Sequence, residues 1–317
     1  MINDIVKVGN EMQTKILMVG SVMMDLILTM DRAPELSESV LGEIYGNACG
    51  GKGSNAAVAA SRLGAKVSVF GTLGKDGNGD VLVDMLSSEG INTKNLKLKE
   101  GAHSGFVVIL LEKGGKNRLV ICPGANMETT PEGLEEVFEE DFDALLLQLE
   151  IPLEANIAAI KLAQKKGVIT VLDAGPAQEY PLEKLKGLTI LSPNETETKA
   201  LTGIYPADLE TCRAAAKVLH QRNDCKFVVL KLGDRGSYIY GEGIDEMVAP
   251  YKVVALDPTA AGDAFTGALA KKYAETKDIV GSAKYANAVG ALSTLKVGAQ
   301  PSLPTDKEVD AFIASYK

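Results

Sequence analysis

The sequence predicts an α/β protein, with a mainly parallel sheet flanked by helices and a small antiparallel β lid. Three observations predict it. Six short apolar runs, each closing near Gly, Pro or a polar residue, alternate with amphipathic stretches. Alternation of this length implies parallel strands joined by crossover helices. The chain has 317 residues, enough for one large domain with a substantial core. Finally, two segments break the alternation and read as strands without crossover helices, which is where the lid arises.

In chain order, MINDIVKVGNEMQT (1–14) carries mixed charge and no apolar signal core, and reads as a leader. KILMVG from Lys15 opens the sheet as a buried strand. SVLGEIYGNA (39–48) is strand-like, with no helix until Asn55. The helix NAAVAASRLGA, the strand KVSVFG and the helix DVLVDMLSSEG follow. SGFVVILLEKGGKNRLVICPG (104–124) reads as a hairpin with a Gly-Gly turn. Beyond it, ALLLQLE, VITVLDAG, TILSPN and KFVVLKLG read as strands, separated by the helices EANIAAIKLAQKKG and DLETCRAAAKVLHQRN. Several helices end in Gly, as C-termini often do. The expected layout is a single α/β domain over 15–317, with lid segments inserted at about 31–50 and 103–123. A lid sheet with exposed edges is a natural homodimer surface.

Composition excludes several classes. Hydrophobic residues make up 46% and charged residues 24%, with a formal net charge of −9. That balance argues against nucleic acid, which needs clustered Lys and Arg. Cys49, Cys122, Cys212 and Cys225 show no C-x-x-C spacing, and His103 and His220 lie far apart, so a structural zinc site is not expected. Scattered cysteines suit reduced thiols and a cytoplasmic address. The longest apolar stretch, ILMVGSVMMDLIL, is too short to span a membrane and contains Asp25.

The chemistry is expected at the carboxyl ends of strands, where such sheets bind ligands. In GNACGGKGSN, Gly46, Gly51 and Lys52 have the G-x-x-x-x-G-K spacing of a phosphate loop, but Gly53 stands where Ser or Thr should ligate magnesium. In LDPTAAGDAFTGAL, a helical pattern follows Asp263, so Ala260, Ala261 and Gly262 lie at a helix N-terminus. Small residues there let backbone N–H groups approach an anion. Asp263 is placed to take a proton from an attacking hydroxyl, and also suits a plain helix cap. Asn194 and Glu197 open a helix after a strand, as a metal-facing pair or as ordinary first-turn residues. Asp25 interrupts an apolar run, and a buried carboxylate needs donors from a neighbour or a ligand. Glu150 ends a strand. Gly233 and Gly236 mark a turn that could face a nucleotide.

Taken together, GSVMMDL, GGKGSNAAVAASRLGA, PGAN at 123–126, LQLEIP, SPNETETKALTG, LGDRG, DPTAAGDAFTGAL and GAQPSLP resemble the ribokinase (PfkB) family of carbohydrate kinases. They run in the family's order over nearly the whole chain after the leader; GGKGSN and AAGD are the specific signals. The resemblance implies a ribokinase-like fold and ATP-dependent phosphorylation of a pentose at its primary hydroxyl. D-ribose to D-ribose 5-phosphate comes first, with 2-deoxyribose, another sugar or a nucleoside as alternatives. A non-catalytic sugar or nucleotide sensor is the rival from another class, and the presence of Asp263 and Gly262 speaks against it.

The resemblance also makes the GGKG loop a sugar loop, so the missing Ser or Thr is expected. It implies Asp263 as catalytic base and Ala260 to Gly262 as anion hole. Asp25, Gly51, Lys52, Asn55 and Glu150 would contact the sugar together with Asp263. Asn194, Glu197, Gly233, Gly262 and Asn287 would surround ATP, with Glu197 reaching magnesium through water. Lys231, at the family's Thr position near the phosphates, is a departure. A potassium site would use Asp257 and Ser302 by side chain, and the carbonyls of Thr259, Ser293, Lys296 and Gly298. Many ribokinases carry Asn where this chain has Met23. Strand alternation puts residues 23 and 25 on one side, so Met23 is expected to look into the sugar pocket and to relax its demand for a hydroxyl.

Overall fold

The computed structural model describes residues 13–114 and 117–316. The leader therefore lies outside the described residues except for its last two, as does the second glycine of the hairpin turn.

Two strands open the fold, β1 (Lys15–Val19) and β2 (Met23–Met30), followed by β3 (Gly42–Gly50), α1 (Lys52–Arg62), β4 (Lys66–Gly74), α2 (Gly77–Ser88) and β5 (Asn92–Lys99). The hairpin β6 (Gly105–Glu112) and β7 (Asn117–Cys122) leads to α3 (Leu134–Val137), β8 (Ala144–Leu147), α4 (Leu153–Lys166), β9 (Ile169–Asp173) and β10 (Ile190–Ser192). Then come α5 (Glu195–Thr202), α6 (Leu209–Asn223), β11 (Phe227–Lys231), β12 (Ser237–Gly241) and β13 (Ile244–Val248), and the chain closes with α7 (Ala261–Thr276), α8 (Ile279–Ser293) and α9 (Asp306–Ser315).

Among the described residues the main sheet has the order β13-β12-β11-β10-β9-β8-β1-β4-β5. It is parallel except where β11, β12 and β13 pair antiparallel at one end. The chain leaves β1 first toward β4 and β5, then returns to build outward from β8. This reversal puts a switch point between β1 and β8, and ligands bind outside the carboxyl ends of strands at such points. Along β1 the two-residue period is plain. Ile16 and Met18 enter one core, with α1, α7 and α8; Leu17 and Val19 enter the other, with α4 and α6. Burial on both faces explains the unbroken apolar runs.

The small sheet, ordered β3-β2-β6-β7, is antiparallel in its two outer pairs and parallel between β2 and β6. It begins at Met23, upstream of the expected lid segments. Only Gly20, Ser21 and Val22 separate β1 from β2, so two strands of different sheets merge in sequence into one apolar stretch. Several other elements differ from the sequence reading: α3, β12, β13, α8 and α9 are additional to the expected strands and helices, and α1 and β5 depart from it for identifiable reasons. α1 starts at Lys52, inside the glycine loop, because the left-handed turn at Gly51 (φ 90°) sends the chain straight into the helix. β5 was absent from the expected strands because NTKNLKLK is a polar edge strand with little apolar signal.

Candidate active site

α1 and α7 carry much of the site, and their small residues let them approach closely. A side chain at Gly267 would collide with the Ala56 carbonyl, so α7 lies against the alanine-rich α1. The start of α7 is set by Asp257, whose Oδ1 accepts from the Thr259 N–H at 2.9 Å and the Thr259 hydroxyl at 2.6 Å. Burial raises the Asp257 pKa, but these donors and the Gly298 N–H hold it below the ordinary value. Ala260 then takes a left-handed conformation (φ 60°), unusual for a residue with a Cβ, and the helix begins at Ala261. Its first-turn N–H groups have no intrahelical partners. Asp263 lies within this turn, not at the cap, and no side chain caps it among the described residues. Its Oδ1 accepts from Lys52 Nζ at 3.2 Å and its Oδ2 from Asn55 Nδ2 at 2.9 Å. The plain-cap alternative thus gives way: the carboxylate turns toward α1.

On the α1 side, Glu150 Oε2 accepts from the Ser21 hydroxyl at 2.5 Å and the Lys52 backbone N–H at 3.0 Å. Burial pushes its pKa up against these donors. Asp25 sits in β2, 7% exposed, and its pKa is raised to about 7 by burial, then by the negative charges of Glu150 and Asp263. A side chain at Gly50 would collide with it. Asp25 Oδ1 and Asn55 Oδ1 are buried with no hydrogen-bond partner among the described residues. Buried acceptors are rarely left so, and hydroxyl-bearing ligands would satisfy them. Met23 is fully buried on the same strand, and a Cβ on Gly51 would meet its Cγ at 3.3 Å.

On the other side of Gly262 a cavity of about 760 Å³ opens, lined by Asn194, Lys231, Gly233, Ala261, Gly262 and Asn287. Its size suits a nucleotide. Tyr251, Val253 and Pro250 also line it; the sequence reading missed them because they lie on a loop without periodicity. Asn287 holds that loop, its Nδ2 donating to the Ala249 carbonyl at 3.1 Å. Asn194 caps α5, accepting from the Glu197 N–H at 2.8 Å, and Glu197 Oε2 accepts from the Asn194 N–H at 2.7 Å. Glu197 itself is buried behind the cavity wall, with Oε1 3.6 Å from Lys52 Nζ, and burial followed by Asp173 raises its pKa.

Lys52 is the hinge between the halves. Burial disfavours its charge, but Asp173, Asp263, Glu197 and Glu150 raise its pKa well above the ordinary value. Asp173 was missed, although VITVLDAG ends a strand in a carboxylate as ALLLQLE does. Of the expected potassium residues, Asp257 and Gly298 come together at 2.8 Å, Oδ2 accepting from the Gly298 N–H. The hydroxyls of Ser293 and Ser302 donate to the nearby carbonyls of Gly290 and Ala299, each at 2.8 Å. The Lys296 ammonium pairs with Glu308 at 3.0 Å.

A model of the pfkB family carbohydrate kinases matches residues 13–306. A ribokinase of Haemophilus influenzae is 34% identical over 304 residues, covering 95% of this chain and 99% of the relative. A deoxyribokinase of Salmonella typhi is 30% identical over 302 residues, covering 94% and 98%. Among solved structures, Arabidopsis thaliana ribokinase complexed with ribose and ATP superimposes with a TM-score of 0.86 at 32% identity, covering 95% of this chain and 99% of that one.

Proposed function

The chain belongs to the pfkB family of carbohydrate kinases, and from that membership we infer an ATP-dependent sugar kinase that converts D-ribose to D-ribose 5-phosphate. One observation carries the reading. The Asp263 carboxylate stands on the first turn of α7, with the nucleotide-sized cavity on one side and the buried, unpartnered acceptors Asp25 Oδ1 and Asn55 Oδ1 on the other.

The chemistry follows from this placement. The sugar's secondary hydroxyls donate to Asp25 and Asn55 and are steadied by Glu150 and Lys52. Its primary hydroxyl loses a proton to Asp263 as its oxygen bonds to the γ-phosphorus of ATP, while the bond from that phosphorus to the bridging β-phosphate oxygen breaks and ADP leaves. The N–H groups at the start of α7 receive the charge that develops on the phosphoryl oxygens. Magnesium, when bound with ATP, neutralises phosphate charge. Among the described residues no cluster of three His, Cys, Asp or Glu side chains forms a cage for it. Phosphate oxygens and water, with Asn194 and Glu197 nearby, suit it better. Potassium suits the oxygens of Asp257, Thr259, Ser293, Lys296, Gly298 and Ser302, where its charge would strengthen the field of the anion hole. Exposed apolar residues on the outer strands of the small sheet support a homodimer through the lid. Unpaired cysteines support a cytoplasmic address, and no helix among the described residues is long and apolar enough to cross a membrane.

A coupled ADP-release assay across pentoses, hexoses and nucleosides tests the reading. D-ribose should give the highest kcat/KM, and potassium should raise it. Because Met23 offers a thioether where an amide could hold a hydroxyl, 2-deoxyribose should fall within about tenfold of ribose, a gap of ~1.4 kcal/mol or less. Met23→Asn should widen that gap. Preference for a hexose or nucleoside overturns the substrate. Equal rates without potassium overturn the cation site, and an unchanged ratio in Met23→Asn makes Met23 packing alone.

A further inference from the structure

Asp173 has no place in the scheme above, yet two ammonium groups converge on it. It ends β9, 3% exposed, and the Gly175 N–H donates to its Oδ1 at 3.2 Å. Lys52 Nζ donates to Oδ1 at 3.2 Å and Lys231 Nζ to Oδ2 at 2.6 Å. The Thr266 hydroxyl lies 3.1 Å from Oδ2 and 2.9 Å from the Gly262 carbonyl, tying the group to the first turn of α7.

The two lysines face different halves of the site. Lys52 Nζ is 3.2 Å from Asp263, on the sugar side. Lys231 lines the nucleotide cavity at the end of β11, and a Cβ on Gly262 would lie 3.6 Å from its ammonium. Its charge therefore sits beside the backbone that forms the anion hole. An ammonium has three N–H donors. Asp173 takes one from Lys231, and Thr266 a second at 3.4 Å. One remains for a ligand oxygen. A buried ammonium without a counterion is costly; Asp173 supplies that counterion to both lysines and leaves Lys231 a donor to spare.

We propose that Lys231 is a catalytic cation, contacting the phosphoryl group in flight from the nucleotide side. Asp173 is the positioning residue that fixes it opposite Lys52. Charge spreads over the phosphoryl oxygens in the transition state, and a cation fixed beforehand stabilises that charge without reorganising. This rests on the sugar-kinase reading and adds to it a role for each of the two residues.

The test is Lys231→Met, assayed by steady-state kinetics and by binding of ADP with fluoroaluminate and ribose, a mimic of the transferring phosphoryl. kcat should fall by roughly 10²-fold, with the ribose KM little changed. Affinity for the fluoroaluminate complex should fall by a similar factor, while ADP alone binds about as before. Asp173→Asn should lower kcat by a larger factor in the wild type than in the Lys231→Met background, since residues acting together are not additive. If Lys231→Met does not fold, Asp173→Asn/Lys231→Met removes both buried charges and reports the same loss of kcat. Wild-type kcat in Lys231→Met or in the double variant, or undiminished fluoroaluminate binding, overturns the role of Lys231. Equal factors for Asp173→Asn in both backgrounds overturn the positioning. An inactive wild type would instead sink the sugar-kinase reading itself.

Discussion

At the scale of single residues, the site buries several carboxylates close together, and Asp25 shows the consequence most simply. Its pKa stands near 7 in the folded chain against 3.8 for a free side chain. A carboxyl with a raised folded pKa contributes stability that is complete below pH 4 and is lost as pH rises through about 7. The shift of about three units corresponds to something on the order of 4 kcal/mol. Asp25→Asn removes this titration. The stability of the wild type relative to Asp25→Asn, measured by urea unfolding without sugar, should therefore decline from pH 4 to pH 7. Saturating ribose should shrink the decline, because a hydroxyl donating to the unpartnered Oδ1 favours the charged form. A difference that stays flat with pH would show that Asp25 is not held in this state.

At the scale of elements, the small sheet leaves its own edges to be explained. β3 and β7 are its outer strands, with Ile44 74% exposed, Tyr45 64% exposed, and Leu119, Val120 and Ile121 all exposed. Unpaired edges bearing apolar side chains invite pairing with another chain. Sedimentation should give a dimer, and Ile44→Asp with Leu119→Asp should give a folded monomer. A monomeric wild type at the same concentrations would contradict the lid interface. The elements differ in how legible they were. KILMVG, KVSVFG and KFVVLKLG are legible because interior strands of a sheet covered on both faces are apolar on both sides. β5 was hidden by its polar edge position, and β2 by its fusion with β1 across three residues. The start of α1 was obscured by Gly53, a weak helix former that made the pattern look as if it began at Asn55.

At the scale of the whole molecule, the site is a meeting of distant segments. Lys52, Asp173, Glu197 and Asp263 come within ion-pair reach from four separate parts of the chain. Motif resemblance located Lys52, Glu197 and Asp263, because each stands in a glycine-rich or helix-opening stretch. It passed over Asp173 and the Tyr251 loop, whose roles arise only when strand ends converge. The same convergence gives the central claim, that Asp263 is the base between a sugar pocket and a nucleotide cavity. The most direct measurement is Asp263→Asn, with kcat from the coupled assay and ribose affinity from calorimetry on the same preparation. General-base removal typically costs ~10²–10⁴-fold. The predicted result is a kcat lowered by roughly 10²-fold or more with ribose still bound; near-normal turnover in the folded variant would contradict it.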